Sequence, residues 1–499
     1  MDRTLRLIGL SMITGLLVGC IGGGGGGGGG GSSNGSDGSG GGGSGSDGGT
    51  TTLAAIDPPH FFAGNDGSSG NPEASQLWLT DGTEDGTVMV RDIHPSGDAA
   101  IDEFTRLGGA LYFVADDGTG AGPQLWKSDG TESGTGMVKA IDLVDDARPH
   151  SLTAVGDTLF FVAEDDTSGE ELWKSDGTAD GTVLVKNIRG VDLLGNPAGS
   201  SPVSLTAMGG TLYFVANDNE VGPELWRSDG TEDGTEIVKV IREGRDGGLL
   251  GVFGPQAIVV VDDDMLYFAA NDGNSSTGGQ LWKSDGTAGG TVLVKNFGVG
   301  FASLTAAGDQ LYLYAGGDFW TSDGTEDGTV IVQEGGDAEG TNIEFFESVY
   351  ATPMGVIGDT VYFAARDDTT DGFALWRGNT SGVSVVANIE IGQGGFNRFV
   401  AQRISVEGAI YSFTNSDDFT GLYRFWSSDG TANGTGTGQP FFQQTQNNML
   451  TVAEDGETLL FGARDLATGK ELWRSNGEEA GTQLITEVCP GNCDGFISH

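Results

Sequence analysis

Positive charge is scarce in this chain. Its 499 residues carry 24 Lys and Arg against 71 Asp and Glu, a formal net charge of −47. A field of that sign repels nucleic acid and anionic lipid, which removes polyanions from the set of expected partners. Two readings of the acidity stay open: solubility, for instance in a salty medium, and a set of divalent-cation sites. Histidine is nearly absent. His60, His94, His150 and His499 stand far apart and in no motif. There is no Gly-x-Ser-x-Gly elbow, no His-Glu-x-x-His, no phosphate loop and no dinucleotide fingerprint, so no residue is expected to be catalytic. Carboxylates are so numerous that a glycosidase pair stays open, because its signature is a separation in space. No segment repeats apolar residues at helical spacing. The apolar run Leu7–Val18 covers 12 residues, too few to span a bilayer as a helix.

Tryptophan is present in strict order. Trp78, Trp126, Trp173, Trp226, Trp282, Trp320, Trp376, Trp426 and Trp473 are all the chain has, and they lie 48, 47, 53, 56, 38, 56, 50 and 47 residues apart. Each sits in a copy of one stretch, best seen from Glu171 through Leu172-Trp-Lys-Ser-Asp-Gly-Thr178 to Ile188. A period near 50 with strand-like content points to a propeller or solenoid.

Within a copy, four runs rich in Val, Leu, Phe, Thr and Trp alternate with Gly, Asp, Asn and Ser turns, the pattern of an antiparallel meander. The run Leu-Tyr-Phe-Val-Ala (Leu111–Ala115, Leu212–Ala216) is apolar at every position. A strand buried on both faces reads this way, and it is assigned here as strand A, the innermost of a blade. Strand B holds Leu-Trp, strand C the Val-Leu-Val-Lys run, and strand D the Ser-Leu-Thr-Ala run leading onward. The fold class expected is all-β, a propeller of about nine four-stranded blades, with eight as the alternative because the copies at Trp320 and Trp376 are irregular. By this phase the last blade holds only A, B and C, so the N-terminal run Leu53–Ile56 is expected to complete it and close the ring.

Leu-Trp-Lys-Ser-Asp-Gly-Thr at Leu125–Thr131, Leu172–Thr178 and Leu281–Thr287, with Glu-Leu-Trp at Trp173, Trp226 and Trp473, resembles the ELWxxDGT repeat of bacterial surface proteins. The resemblance covers about 435 residues in nine copies and implies no catalytic activity that transfers to a residue. The copies at Trp376, which lacks Asp-Gly-Thr, and at Phe425-Trp426 and Phe319-Trp320 depart from it.

The N-terminus reads as an address. Arg3 and Arg6 precede the apolar run, which ends in Leu17-Val18-Gly19-Cys20 and resembles a lipoprotein lipobox whose cysteine becomes the acylated N-terminus. Domain boundaries follow: 1–20 signal peptide, 21–50 Gly/Ser-rich tether, 51–488 propeller, 489–499 a tail with Cys489 and Cys493. The tether cannot bury apolar surface, and its roughly 30 residues reach about 30 Å. Ile21, not Asp, follows Cys20. By analogy with enterobacterial sorting this favours the outer membrane, facing the periplasm or the cell surface. Cys489-Pro-Gly-Asn-Cys493 reads as a small disulfide loop in an oxidising compartment.

Function is less legible. One Trp at one fixed position in each copy reads as a structural peg between blades, and Asp-Gly-Thr as a turn. The B–C and D–A connections share one side of the ring and hardly vary in length. The A–B and C–D connections share the other and hold every long insertion: Asp66–Ser75, Gly190–Ser201, Glu243–Pro255, Glu334–Ser348 and Glu390–Arg398. Binding is expected on that variable face, by a protein or glycan partner, with Phe253, Phe345, Phe346 and Phe396 as candidate contacts. The pairs Asp116-Asp117, Asp165-Asp166 and Asp367-Asp368 open A–B loops there and are candidate Ca²⁺ ligands, with ordinary turn use as the alternative. No cofactor is required by this reading. The alternatives are an envelope carbohydrate-active hydrolase or lyase, and a passive Ca²⁺-loaded surface protein.

Overall fold

The computed structural model describes residues 56–65, 67, 74–142, 147–191, 195–244, 258–274, 279–299, 301–333, 343–344, 355–367, 374–388, 399–406, 408–415, 422–443, 450–453, 455–464, 469–478, 481–489 and 495. The expected signal peptide, Cys20 and the expected tether to residue 50 lie outside these. All regular structure among the described residues is β-strand, arranged as a propeller of nine blades, each built round one of the nine tryptophans. Blades are numbered here by those tryptophans in chain order.

Blade 2 shows the plan: Asp102–Leu107, Ala110–Ala115, Gln124–Ser128 and Gly136–Lys139 pair in that order, all antiparallel. Blade 6, the short copy, has the same four strands (Phe301–Ala307, Gln310–Ala315, Asp318–Ser322, Val330–Gln333), so the ring holds nine blades. In every blade the B–C register slips beside the Trp, as at Leu125/Trp126, a bulge that twists the outer strand.

The phase differs from the expectation by one strand. The D-type run pairs with the A-type run after it, as Thr105 opposite Tyr112 and Thr153 opposite Phe160. D-type strands of neighbouring blades also lie against one another, Asp102–Leu107 on His150–Val155 and that on Val203–Met208, which puts them round the axis. Strand A is therefore second from the axis. Its two-sided burial comes from being sandwiched between adjacent blades, while the axial strand is half-buried and can be Thr, Ser and Ala. Blade 9 accordingly has its own axial strand, Leu450–Val452, and is complete with Leu459–Arg464, Lys470–Ser475 and Gln483–Thr486. Blade 1 shows three strands among the described residues (His60–Gly64, Gln76–Thr80, Val88–Arg91).

Closure uses the same packing as every other junction. Among the described residues nine apolar clusters lie in the ring, one per junction, and each sets a Trp against the preceding blade. Trp173 lies with Tyr112, Leu125 and Val138, and Trp226 with Phe160, Leu172 and Val185. At the closing junction Trp78 and Phe62 of blade 1 meet Leu460, Leu472 and Ile485 of blade 9. Of the N-terminal run, Leu53–Ala55 lie outside the described residues. Ile56 joins that closing cluster, and its N–H donates to Asp81 O at 2.6 Å. The outer C strands of blades 1 to 5 are four or five residues long and carry Lys or Arg near their ends (Arg91, Lys139, Lys186, Lys239, Lys295), two devices that keep edge strands from pairing with other chains.

Candidate functional site

The constant face is made of one turn repeated. In blade 3 the Asp176 carboxylate accepts from the N–H and hydroxyl of Thr178, at 2.9 and 2.7 Å. Thr178 Oγ1 accepts from Gly181 N, and Thr182 Oγ1 donates to Thr178 O while meeting Ser175 Oγ at 2.8 Å. Both glycines are required. Gly177 has φ +85°, and a Cβ there would stand 2.1 Å from the Tyr112 hydroxyl of blade 2; one on Gly181 would stand 2.0 Å from Asp176 Oδ1. The same hydrogen bonds recur round Asp81, Asp129, Asp229, Asp285, Asp323 and Asp429. Asn476 substitutes in blade 9, accepting from Glu478 N at 3.0 Å.

The turn hydrogen bonds, the neighbouring threonine hydroxyl first among them, hold the exposed carboxyls of Asp129, Asp176, Asp229, Asp285, Asp323 and Asp429 below the usual range. A depressed folded-state pKa gives stability that is whole above the unfolded value of 3.8 and is lost as pH falls through the folded value. Asn at this position keeps the acceptor without the titration. The double variant Asp176→Asn/Asp229→Asn should therefore match the parent in Tm at pH 7 and lose less Tm below pH 3.8. Parallel acid melting curves for the two chains would contradict this.

Cations of one blade reach the next blade's turn. Lys127 Nζ donates to Gly177 O and Lys139 Nζ to Thr182 O, both at 2.7 Å. Lys186, Lys239 and Lys295 reach Thr235 O, Thr291 O and Thr329 O. Arg227 reaches Gly286 O, and Arg474 reaches Gly82 O across the closing junction. Sequence reading missed these side chains, although their spacing from each Trp is constant; a lysine on a strand is ordinarily a solvated one.

The variable face is held by a second repeated device. In six of the nine blades the residue two before the Trp is a buried Gln or Glu: Gln76, Gln124, Glu171, Glu224, Gln280 and Glu471. In most of these blades its side chain accepts from backbone amides where the C–D connection leaves the blade: Ile93 N on Gln76, Ile141 N on Gln124, Arg189 N and Ser200 N on Glu171, Ile241 N and Arg242 N on Glu224, Val488 N on Glu471. Ser200 Oγ also donates to Glu171. The insertion between Gly190 and Ser201 is closed by Ala198 N on Gly190 O, by Arg189 Nη1 on Gly199 O and by Ser201 N on Glu170 O. Burial pushes the Glu171 carboxyl up, and its four donors work against that.

The candidate Ca²⁺ pairs serve turns where they are described. Asp116 and Asp117 accept from Gly118 N and Thr119 N, and Asp165 from the amides and hydroxyls of Thr167 and Ser168. Asp166 N donates to Asp142 Oδ2. The Asp367 side chain and Asp368 lie outside the described residues. Among the described residues no group of three or more His, Cys, Asp or Glu is placed to hold a metal ion. Phe253, Phe345, Phe346 and Phe396 also lie outside them. Cys489 is buried and disulfide-bonded; Cys493 lies outside.

One chain of contacts has the connectivity of a catalytic triad. His150 Nδ1 stands 3.0 Å from Ser151 Oγ, and His150 Nε2 3.3 Å from Glu170 Oε1. The amides of Ser151 and Leu152, where an oxyanion would need donors, face the Glu103 carboxylate. Ser151 has φ +57°, and so has Ser204 at the matching place in blade 4, with Glu103 at +62° in blade 2. This is the repeated bulge of the axial strand. His60 is half-buried, and the loss of solvent lowers its pKa to about 4, with Arg106 adding to the effect.

Neither a family model nor a curated protein matches the sequence. Among solved structures, the computationally designed Ika8 protein shares 11% identity over 73% of this chain and 94% of its own, with a TM-score of 0.41. A prolyl endopeptidase shares 11% over 74% of this chain and 55% of its own, at 0.39. Prolyl oligopeptidase B from Galerina marginata shares 10% over 78% and 50%, also at 0.39. The chain thus spans about half the length of the peptidases it matches. At these scores the likenesses carry no functional argument, and the nine blades rest on the strand pairing itself.

Proposed function

We propose that the chain is a non-catalytic, lipid-anchored protein of the bacterial cell envelope, an ELWxxDGT-type propeller that presents its variable A–B and C–D loops to a protein or glycan partner. Cys20 is its acylation site and the outer membrane its location. The observation that carries the reading is the buried Glu or Gln before the Trp, which fixes the root of a C–D connection in blade after blade. Loops of differing length are thereby held on a rigid ring, the usual arrangement of a recognition surface. More than one acyl chain on Cys20 would give stable anchoring despite the repulsion between an acidic body and anionic lipid.

Two measurements test this. Cys20→Ser should move the protein from the membrane fraction to the soluble fraction; unchanged membrane association would remove the anchor. A glycan and envelope-protein binding screen should then return a ligand whose affinity falls at least tenfold when residues 190–199 are replaced by a short Gly-Ser link. The partner reading fails if no ligand is found, or if the ligand is insensitive to every A–B and C–D loop exchange.

A further inference from the structure

The geometry points to a second recognition site, on the constant face between blades 6 and 7, shaped for the ammonium or guanidinium of a lysine or arginine side chain from a protein partner. A cleft of about 510 Å³ opens there, lined among others by Asp309, Tyr312, Thr321, Asp323, Asp359 and Asn379.

Its position is defined by comparison with the other junctions. In strand B the residue after the Trp is paired across the sheet with an aromatic or large apolar residue of strand A: Tyr112 with Lys127, Tyr213 with Arg227, Tyr267 with Lys283, Tyr362 with Arg377. That pair meets the next blade's turn. The tyrosine hydroxyl abuts the turn glycine, at Gly177, Gly286, Gly324 and Gly430, while Lys127 and Arg227 reach the turn carbonyl and Lys283 faces the Asp323 carboxylate. In blade 6 the tyrosine persists as Tyr312, but its partner is Thr321 in place of a cation, and the outer strand ends in Gln333 where blades 1 to 5 have Arg or Lys. Blade 7 has lost the turn as well. Its B and C strands join through a tight hairpin, Asn379 opposite Gly382, with Ser381 N on Asn379 Oδ1 at 2.9 Å. Both halves of the staple are missing at one junction, and the cleft is the space they vacate.

What remains suits a cation from outside. Tyr312 forms a floor, 2% exposed, with its hydroxyl donating to Asp359 O at 3.0 Å. Asp309 and Asp359 stand in adjacent D–A turns, and Asp359 Oδ1 leans over Gly308. Asp323, whose carboxylate already faces Lys283 of blade 5, borders the cleft beside them, and the carboxylates of this acidic rim are not gathered closely enough to hold a metal ion. An organic cation with a flexible stem satisfies such a rim and can lie along Tyr312 and Val330. This site faces away from the variable loops, so it stands or falls independently of the surface proposed above.

The test uses the full chain in 150 mM salt, where the general field of the body is screened beyond about 8 Å. The probes are acetyl-Gly-Lys-Gly-amide, the same peptide with norleucine for lysine, and spermidine. The expected result is binding of the lysine peptide and not of the norleucine peptide. The lysine peptide should lose at least tenfold in affinity in Thr321→Lys, which supplies its own ammonium as Lys127 does, and in Asp309→Asn/Asp359→Asn, which removes exposed charges without touching the core. Thr321→Lys should keep or raise the parent Tm. Equal binding by the parent and both variants would mean the field of the whole body is responsible and would overturn the site. Binding of spermidine at this site, with the lysine peptide ignored, would overturn the protein partner.

Discussion

Trp173→Ala should lower the unfolding free energy by about 3–5 kcal/mol, the range for removing a large buried aromatic. Its indole is 6% exposed and fills the space between blade 3 and Tyr112, Leu125 and Val138 of blade 2. No other side chain can enter the space left behind, because both walls are hydrogen-bonded sheet. The loss should be larger than for Trp320→Ala, whose ring is half-buried and is covered by Phe297 at 5.1 Å and Lys295 at 5.5 Å. Guanidinium unfolding of the two variants beside the parent measures this difference. A Trp173→Ala cost under about 1 kcal/mol would mean that the blades are held by something other than these wedges. Because the ring has nine such junctions and no free end, a single weakened junction should also lower cooperativity, with a broader transition than in the parent.

The peg was readable from the sequence because one large aromatic at one spacing has few other uses. The turn was readable for a similar reason: Asp, Gly and Thr at fixed offsets have known local hydrogen-bonding habits, and Asp176 and Gly181 follow them. Strand phase was not readable. Periodicity reports how many faces of a strand are buried, and a strand sandwiched between blades looks the same whether it is first or second from the axis. Leu111–Ala115 is such a strand, and only its pairing with Asp102–Leu107 shows what lies inside it. The lysines were invisible for a different reason. Lys127, Lys139 and Lys186 act on backbone carbonyls of the next copy, 43 to 50 residues away, and a carbonyl leaves no mark in a sequence. Repeats do allow one further step once the contacts are known. A copy that lacks its cation beside a copy that lacks its turn, as Thr321 and Gln333 of blade 6 stand beside Asn379 of blade 7, marks a junction built differently from its neighbours.

Glu171→Leu should cost about 3 kcal/mol or more, since each buried donor left without a partner costs roughly 1–3 kcal/mol. Glu171 is 0% exposed, and the variant would strand Arg189 N, Ser200 N and the Ser200 hydroxyl at once. The damage should be local to the variable face: amide exchange should rise at 189–201 before it rises in strands of blade 3. Glu171→Gln is the control, because Gln76 and Gln124 fill the same place in blades 1 and 2. It should cost little and should change the pH dependence in a defined sense. Burial raises the folded-state pKa of Glu171, so its titration contributes stability that is whole below the unfolded value of 4.5 and is lost as pH rises through the folded value. Glu171→Gln has no such loss, and its Tm relative to the parent should climb as pH rises across that window. A Tm difference that stays level, or falls with rising pH, would mean that the carboxylate's hydrogen bonds outweigh its burial. Loss of exchange protection throughout blade 3 in Glu171→Leu would show that this carboxylate holds the blade, leaving the loop above it without the independent anchor on which a recognition surface here depends.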